Sequence, residues 1–294
     1  MTLTTLRKNS AVTIGIYEKA LPSTDDWAVF FRNAREAGFA FVDLSIDESS
    51  ERLKRLDWDY HQRQTVREAA ASAKIRLGGI CLSAHRKIMP GSKDPAMRQR
   101  ALDLYQKGID FCVDIGIPVV QVAGYYAYYE PDDPDAAKRY LETLALALPY
   151  AEERGTILAI ENVDGNDLAA IPQVLEVIKQ LPSPWLQIYP DIGNIAEHGG
   201  DATIELAAGE GHMVALHVKD VLPGQPRRIP LGEGCADLPA AFQELARQKW
   251  SGRIMLEMWN DNAPDSMKKC IAAREYLERL LEQANIAVIK AERT

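Results

Sequence analysis

The sequence has 294 residues, of which 47% are hydrophobic, 26% charged and 7% aromatic. This composition is typical of a soluble globular protein with a full hydrophobic core, and it excludes a disordered chain, a collagen and a coiled coil. The 42 acidic and 34 basic residues give a formal net charge of −8, which disfavours nucleic acid and anionic membranes as partners.

Short apolar runs rich in Val, Ile and Leu alternate with longer amphipathic stretches along the whole chain. This alternation predicts strands and helices around a parallel sheet, and hence an α/β fold. Eight strands are predicted, and they begin at Ala11, Phe39, Arg76, Pro118, Ile157, Leu186, Met213 and Arg253.

The stretches between these runs carry signals for the ends of helices. Residues 23–37 open with Ser, Thr and Asp, which cap helix starts, and they stop before a glycine. Asp94 and Asp237, each followed closely by proline, predict two further helix starts, and residues 265–285 predict a long last helix. Pro149 is expected to kink or end the helical stretch that contains it.

Eight strands separated by helices fit a single (β/α)8 TIM barrel over residues 1–294, because no Pro-, Gly- or Ser-rich linker divides the chain. The alternative, an open doubly wound sheet, predicts a Gly-x-Gly-x-x-Gly loop after an early strand. The first strand is followed by YEKALPST, which lacks that motif. The closed barrel is therefore the favoured fold.

Four consecutive strands of the predicted barrel end in residue types that bind metal ions. Side chains at the carboxyl ends of barrel strands converge on one face, where active sites form. Isolated charges there are costly unless a partner or a cation neutralises them. The four residues are Glu161, Asp191, His217 and Glu257, on strands five to eight.

One such carboxylate alone is more often a helix cap or a partner of an arginine, and one such histidine alone is more often a core residue. Four of them on successive strand ends favour a metal site instead. Three carboxylates and one imidazole suit Mn²⁺, Zn²⁺, Co²⁺ or Mg²⁺ and do not select among these ions. We therefore predict one divalent metal ion as the cofactor.

Other polar residues near the strand ends are candidates for substrate binding. His85 follows the third strand and would face the pocket, although an ordinary loop histidine is an equally good interpretation. Lys219 lies two residues after His217 on the same face of its strand, in the region where barrels often bind phosphate. A tyrosine cluster after strand four could line a sugar pocket or form a subunit interface; it comprises Tyr125, Tyr126, Tyr128 and Tyr129.

Eight segments carry a resemblance to one group of enzymes. They are GIYEKALP at Gly15, RLDW at Arg55, CLSAHR at Cys81, QVAGYYAYY at Gln121, YPDIGN at Tyr189, ALHVKD at Ala215, GEG at Gly232 and LEMW at Leu256. On these segments, nearly the whole chain resembles the L-ribulose 5-phosphate / L-xylulose 5-phosphate 3-epimerases of pentose and ascorbate breakdown, in the xylose-isomerase-like TIM barrel superfamily. The resemblance implies that the family's metal ligands fall on Glu161, Asp191, His217 and Glu257. Asn194 of YPDIGN is a further candidate for substrate binding, with His85 and Lys219.

The resemblance implies a metal-dependent 3-epimerase that interconverts L-xylulose 5-phosphate and L-ribulose 5-phosphate. Epimerisation removes a weakly acidic proton at C3, and a metal ion at oxygens 2 and 3 would stabilise the resulting enediolate. Inversion also needs one proton carrier on each face of the substrate. We predict that Glu161 and Glu257 are this catalytic pair as well as metal ligands.

Three other functions remain alternatives. An aldose–ketose isomerase of the same superfamily would use a second metal with additional carboxylates, for which Asp43 is the clearest candidate. A metal-dependent nuclease would need several histidines and a basic face. This chain has five histidines, and its net charge is −8. A non-catalytic sugar-phosphate binding protein would need no pair of carboxylates on opposite sides of its ligand.

The four cysteines lie far apart without a Cys-x-x-Cys pair, which predicts free thiols in a reducing compartment. We find no apolar run that could cross a membrane and no apolar centre of a signal peptide in the first residues. We therefore expect a cytoplasmic protein that binds a small-molecule ketopentose phosphate and neither nucleic acid nor membrane. The resemblance implies a homodimer.

Overall fold

A computed structural model describes residues 10–290 of the chain. The described strands of the main sheet are β1 (Ala11–Tyr17), β2 (Phe41–Ser45), β3 (Arg76–Leu82), β4 (Val119–Ala123), β5 (Ile157–Glu161), β6 (Leu186–Ile188), β7 (Leu216–Val218) and β10 (Gly252–Leu256). The antiparallel hairpin of β8 (Asp220–Leu222) and β9 (Gln225–Ile229) lies outside this sheet, and the short strand β11 (Ala287–Val288) pairs with β1. Every predicted strand therefore corresponds to a strand of the main sheet.

Helices separate most of these strands. They are α1 (Trp27–Glu36), α2 (Ser50–Leu53), α3 (Tyr60–Ser72), α4 (Pro95–Ile115), α5 (Ala136–Arg154), α6 (Ile171–Gln180), α7 (Ile192–Glu197), α8 (Ala202–Ala208), α9 (Leu238–Arg247) and α10 (Ser266–Gln283). The side chains of Asp26, Asp94 and Asp237 accept backbone N–H groups at the starts of α1, α4 and α9, as N-caps do. Across residues 10–290, we find no helix that is both long and apolar enough to cross a membrane.

The main sheet is parallel and has the strand order β6–β5–β4–β3–β2–β1–β10–β7. Just beyond β6, Asp191 forms a parallel bridge with His217 of β7, and the His217 N–H donates to the Pro190 carbonyl oxygen at 2.8 Å. This pairing joins the two ends of the strand order. The predicted (β/α)8 barrel is therefore confirmed, and the open doubly wound alternative is wrong.

The described residues group into two compact units. One comprises residues 10–43, 69–76 and 190–290, and the other comprises residues 44–68 and 77–189. In the first unit, β1 pairs with β10 and β10 pairs with β7, and the strand centres at Ile14 and Ile254 are buried. In the second unit, β4 pairs with β3 and β5, and α4 packs on α5 around buried Tyr105 and Tyr140. A single domain over residues 1–294 stays a prediction.

Helix α5 continues through Pro149 to Arg154, so the expectation that Pro149 would end the helix near Leu148 is wrong, whereas a kink there stays a prediction. Proline removes one backbone N–H and crowds the preceding turn, which weakens a helix locally. Leu144, Leu148 and Ala151 are nevertheless buried on both sides of the proline. Burial of this apolar face stabilises the helix more than the one missing hydrogen bond destabilises it.

Candidate active site

Asp191 and His217 come together where β6 and β7 end. The predicted sixth strand is shorter than expected, because Asp191 is the N-cap of α7 and its Oδ1 accepts the N–H of Asn194 at 3.1 Å. His217 Nδ1 lies 3.9 Å from Asp191 Oδ2, and both side chains are buried. The aspartate is thus held by a helix start while its other oxygen faces the histidine ring.

Glu161 is the last residue of β5, and its side chain is held by a neighbour on β4. Gln121 Nε2 donates a hydrogen bond to Glu161 Oε2 at 2.6 Å, and both residues are buried. Sequence reasoning did not select Gln121. Its signal was present, because an amide in the middle of the apolar run VVQVA needs a polar partner when buried. Gln121 therefore orients the carboxylate of Glu161.

Lys219 lies between two of the predicted metal ligands. Its Nζ is 2.8 Å from Asp191 Oδ2 and 3.2 Å from Glu257 Oε2, and only 5% of its side chain is exposed. Burial alone would raise the pKa of Glu257, but the Lys219 ammonium and the His217 ring outweigh it and lower that pKa below its ordinary value. Glu257 is therefore ionised at neutral pH.

Three of the four residues predicted from the strand ends form one cluster of candidate ligand atoms within the first unit. Donor atoms of Asp191, His217 and Glu257 lie within 4.8 Å of one another. Two carboxylates beside the Lys219 ammonium leave a negative charge for a cation to neutralise, and oxygen with imidazole donors suit a divalent ion. The donor set therefore fits the predicted cofactor.

The other group of described residues whose ligand atoms approach this closely shares His217 with the first and contains only one carboxylate, Asp43. Sequence analysis named Asp43 as a candidate ligand for the second metal of an isomerase. A carboxylate near a metal-binding histidine more commonly orients the imidazole ring. This arrangement does not supply the several additional carboxylates that the isomerase alternative expects.

His85 has the surroundings of a core histidine. It lies in the short 3₁₀ turn Ser83–Arg86, where its ring centroid is 4.2 Å from that of Tyr105 and its Nε2 is 3.2 Å from the carbonyl oxygen of Ala101. Complete burial lowers the pKa of His85 to about 4. Its proposed role in substrate binding stays a prediction, although these contacts occupy the ring within the protein.

We expect His85 to make the protein less stable as the pH falls from 6.5 towards 4. In this range the unfolded chain binds a proton at His85 that the folded protein does not bind, because the ordinary pKa is 6.5 and the folded value is about 4. By linkage this costs about 2 kcal/mol of the free energy of unfolding at pH 5. Urea unfolding of His85→Phe between pH 7 and 5 should show a smaller loss than the wild type.

Exposed His61 offers the matched control for this measurement. His61→Phe should keep the pH dependence of the wild type, since an exposed histidine is solvated in both states. Equal slopes for His85→Phe and the wild type would contradict the buried, neutral state of His85.

The predicted tyrosine cluster is divided between interior and surface. Tyr125 is buried and its hydroxyl donates to Asp164, whereas Tyr128 and Tyr129 are 39% and 60% exposed. The Tyr129 hydroxyl donates to Glu48 Oε2 at 3.0 Å. Both interpretations of this cluster, a pocket wall and a subunit interface, stay predictions.

A pocket of about 570 Å³ adjoins Lys219 and Glu257 and extends along α10 to Tyr276. One of its walls is the loop GEG, which is anchored by Asp220. Oδ2 of Asp220 accepts the N–H groups of Gly232 at 2.8 Å and Gly234 at 3.0 Å. Sequence reasoning did not select Asp220, because only the tertiary structure brings the loop to it.

Comparisons with known proteins agree with this fold. The family model described as xylose isomerase-like TIM barrel matches residues 31–280. The chain is 38% identical to L-ribulose-5-phosphate 3-epimerase UlaE of Shigella sonnei (strain Ss046), over 93% of this chain and 96% of the relative. It is also 38% identical to the protein of the same name from Escherichia coli (strain SE11), over 94% and 97% of the two chains.

Among solved structures, D-psicose 3-epimerase from Clostridium cellulolyticum H10 has the same fold. The two structures superpose with a TM-score of 0.78 at 15% sequence identity, over 92% of this chain and 99% of the other. At this identity the likeness concerns the fold alone.

Proposed function

Because the chain belongs to the xylose isomerase-like TIM barrel family, we propose that it is a divalent-metal-dependent 3-epimerase of L-xylulose 5-phosphate and L-ribulose 5-phosphate. It is an enzyme of the isomerase class, as its relatives named L-ribulose-5-phosphate 3-epimerase indicate. The observation that carries the proposal is the cluster of Asp191, His217 and Glu257 in the first unit, to which we add Glu161, at the end of β5, as the fourth ligand. These residues would hold one divalent ion.

The chain supplies two carboxylates that we assign as the proton carriers, Glu161 and Glu257. One accepts the C3 proton of the substrate, and the other, as a carboxylic acid on the opposite face, returns a proton to C3. Gln121 donates a hydrogen bond to Oε2 of Glu161, and the Lys219 ammonium forms an ion pair with Oε2 of Glu257. These contacts support the assignment, since a proton carrier must be held in one orientation.

A bound divalent ion would supply positive charge beside the substrate oxygens that become negative when the C3 proton leaves. Because its pKa is lowered, Glu257 is an ionised carboxylate at neutral pH, which is the form that a proton acceptor must have. The opposite epimer requires Glu161 to accept the proton and Glu257 to return one. The two directions of the reaction therefore use the same pair with exchanged roles.

Solvent exchange of deuterium tests the function directly. The purified protein, loaded with Mn²⁺, is incubated in D₂O with each ketopentose 5-phosphate, and the sugars are followed by NMR. Deuterium at C3 with interconversion of the epimers is expected. Exchange or transfer at C1 and C2 would indicate an aldose–ketose isomerase, and binding without exchange would indicate a non-catalytic sugar-phosphate binding protein.

The remaining proposals concern the cellular compartment, the oligomeric state and the substrate contacts. We propose a cytoplasmic homodimer, and the described cysteines support a reducing compartment because all four are free thiols. Asn194 and His85 stay proposed substrate contacts, and Lys219 stays a proposed phosphate contact. The placement of Lys219 between Asp191 and Glu257 gives this lysine a further role.

A further inference from the structure

We propose that Lys219 is a built-in counter-cation of the metal centre, which sets the charge of the ligand cluster and opposes binding of the metal ion. The inference rests on the proposed function, because it assumes that the cluster of Glu161, Asp191, His217 and Glu257 binds a divalent ion. It concerns how tightly that ion is held.

The ammonium group of Lys219 lies beside two of the proposed metal ligands. Lys219 Nζ lies 2.8 Å from Asp191 Oδ2 and 3.2 Å from Glu257 Oε2. The other oxygen of Asp191 accepts the N–H of Asn194. Asp191 Oδ2, which also faces His217 at 3.9 Å, is therefore the oxygen that Lys219 and a metal ion would share.

The aliphatic part of the Lys219 side chain packs closely against the start of α7. At Gly193, in the first turn of α7, a Cβ atom would lie 2.4 Å from Lys219 Cγ and 3.0 Å from Lys219 Cε. The ammonium also lies 6.0 Å from the ring centroid of Trp259. With 5% of the side chain exposed, the ammonium cannot swing into solvent without rearrangement of this packing.

The charge of Lys219 sets the net charge of the proposed ligands. Three carboxylates and one ammonium carry a net charge of minus two, which matches a divalent cation. Replacing Lys219 with an uncharged residue leaves minus three at the same position. A positive charge this close to a buried site interacts strongly with a metal ion, because the interior screens charge poorly. Removing the charge of Lys219 should tighten metal binding. It should also lower the stability of the metal-free protein, because the carboxylates then repel one another.

Titration calorimetry with Mn²⁺ on the metal-free protein tests the proposal. Lys219→Met, which keeps the length of the side chain, should bind Mn²⁺ at least about tenfold more tightly than the wild type. Its melting temperature without metal should fall, and saturating Mn²⁺ should restore it. Lys219→Gln, a second uncharged variant, should behave in the same way, whereas Lys219→Arg should stay close to the wild type.

Lys269→Met is the matched control. Lys269 lines the same pocket and also bridges two carboxylates, Asp261 and Asp265, but it is exposed and does not contact the ligand cluster. Its replacement should leave the affinity for Mn²⁺ unchanged. A purely structural role of Lys219 would give a different result from the one proposed, since damage to the site weakens metal binding.

Unchanged or weaker Mn²⁺ binding by both uncharged variants would overturn the counter-cation role while leaving the proposed function intact. Absence of metal binding by the wild type, tested with Mn²⁺, Co²⁺ and Zn²⁺, would overturn the proposed function together with this inference.

Discussion

Replacing Glu161 or Glu257 with glutamine should strongly reduce interconversion of the two ketopentose 5-phosphates. An amide keeps the size of the side chain and an oxygen that can coordinate, but it cannot carry a proton at neutral pH. Epimerisation needs both proton carriers in every turnover, so each variant should lose about 10²- to 10⁴-fold in net conversion. Conversion is measured by NMR with saturating Mn²⁺.

Exchange of the C3 proton with D₂O distinguishes the two residues. Exchange needs only the carboxylate on the face that carries the substrate's own C3 proton. Each variant should therefore retain slow exchange with one epimer and lose it with the other, and the two variants should show opposite preferences. If one variant interconverts the epimers at nearly the wild-type rate while holding its metal, that glutamate is a ligand only, and the second proton carrier must be sought elsewhere.

Removing the metal should have an effect of similar size. Full chelation should eliminate turnover, and Mn²⁺, Co²⁺ or Zn²⁺ should restore it, because the Lys219 ammonium beside the cluster carries a single charge and is already paired with Asp191 and Glu257. His217→Ala should lower affinity for the ion by about 100-fold or more, since it removes the one nitrogen ligand. Metal content is measured by mass spectrometry and affinity by calorimetry.

His61→Ala is the control for this variant, because His61 is exposed and lies on α3, outside the ligand cluster. It should keep the metal content of the wild type. Full turnover in excess chelator, with absence of metal verified, would refute the metal-dependent mechanism, and unchanged metal occupancy in His217→Ala would show that the ligands are misassigned.

The positions of the main strands and of the residues at their ends followed from the sequence because both are local properties. A parallel strand buried on both faces is a short apolar run, and a charged residue that ends such a run stands out against it. Glu161, Asp191, His217 and Glu257 could therefore be selected without coordinates. In a closed barrel with short connections, strand ends must converge, so the pattern also predicted that these residues meet.

Features that depend on packing between distant segments were decided by the tertiary structure. By the local sequence alone, Pro149 predicts the end of a helix. The helix nevertheless continues, because its apolar face is buried on both sides of Pro149. The position of His85 after a strand predicts a place beside the pocket, and only the tertiary structure shows that its ring packs on Tyr105 of α4. In both cases the neighbouring residues in the sequence do not decide the outcome, because the deciding contacts come from distant parts of the chain.

Lys219 is the clearest example of this division. Its spacing from His217 placed it on the inward face of strand seven, because side chains two residues apart share a face. Its partners could not be read from that spacing. They depend on how Asp191 is turned by capping α7 and on the gap that Gly193 leaves for the lysine stem. Strand periodicity thus determined the direction of the side chain, and only three-dimensional packing decided which charges it meets.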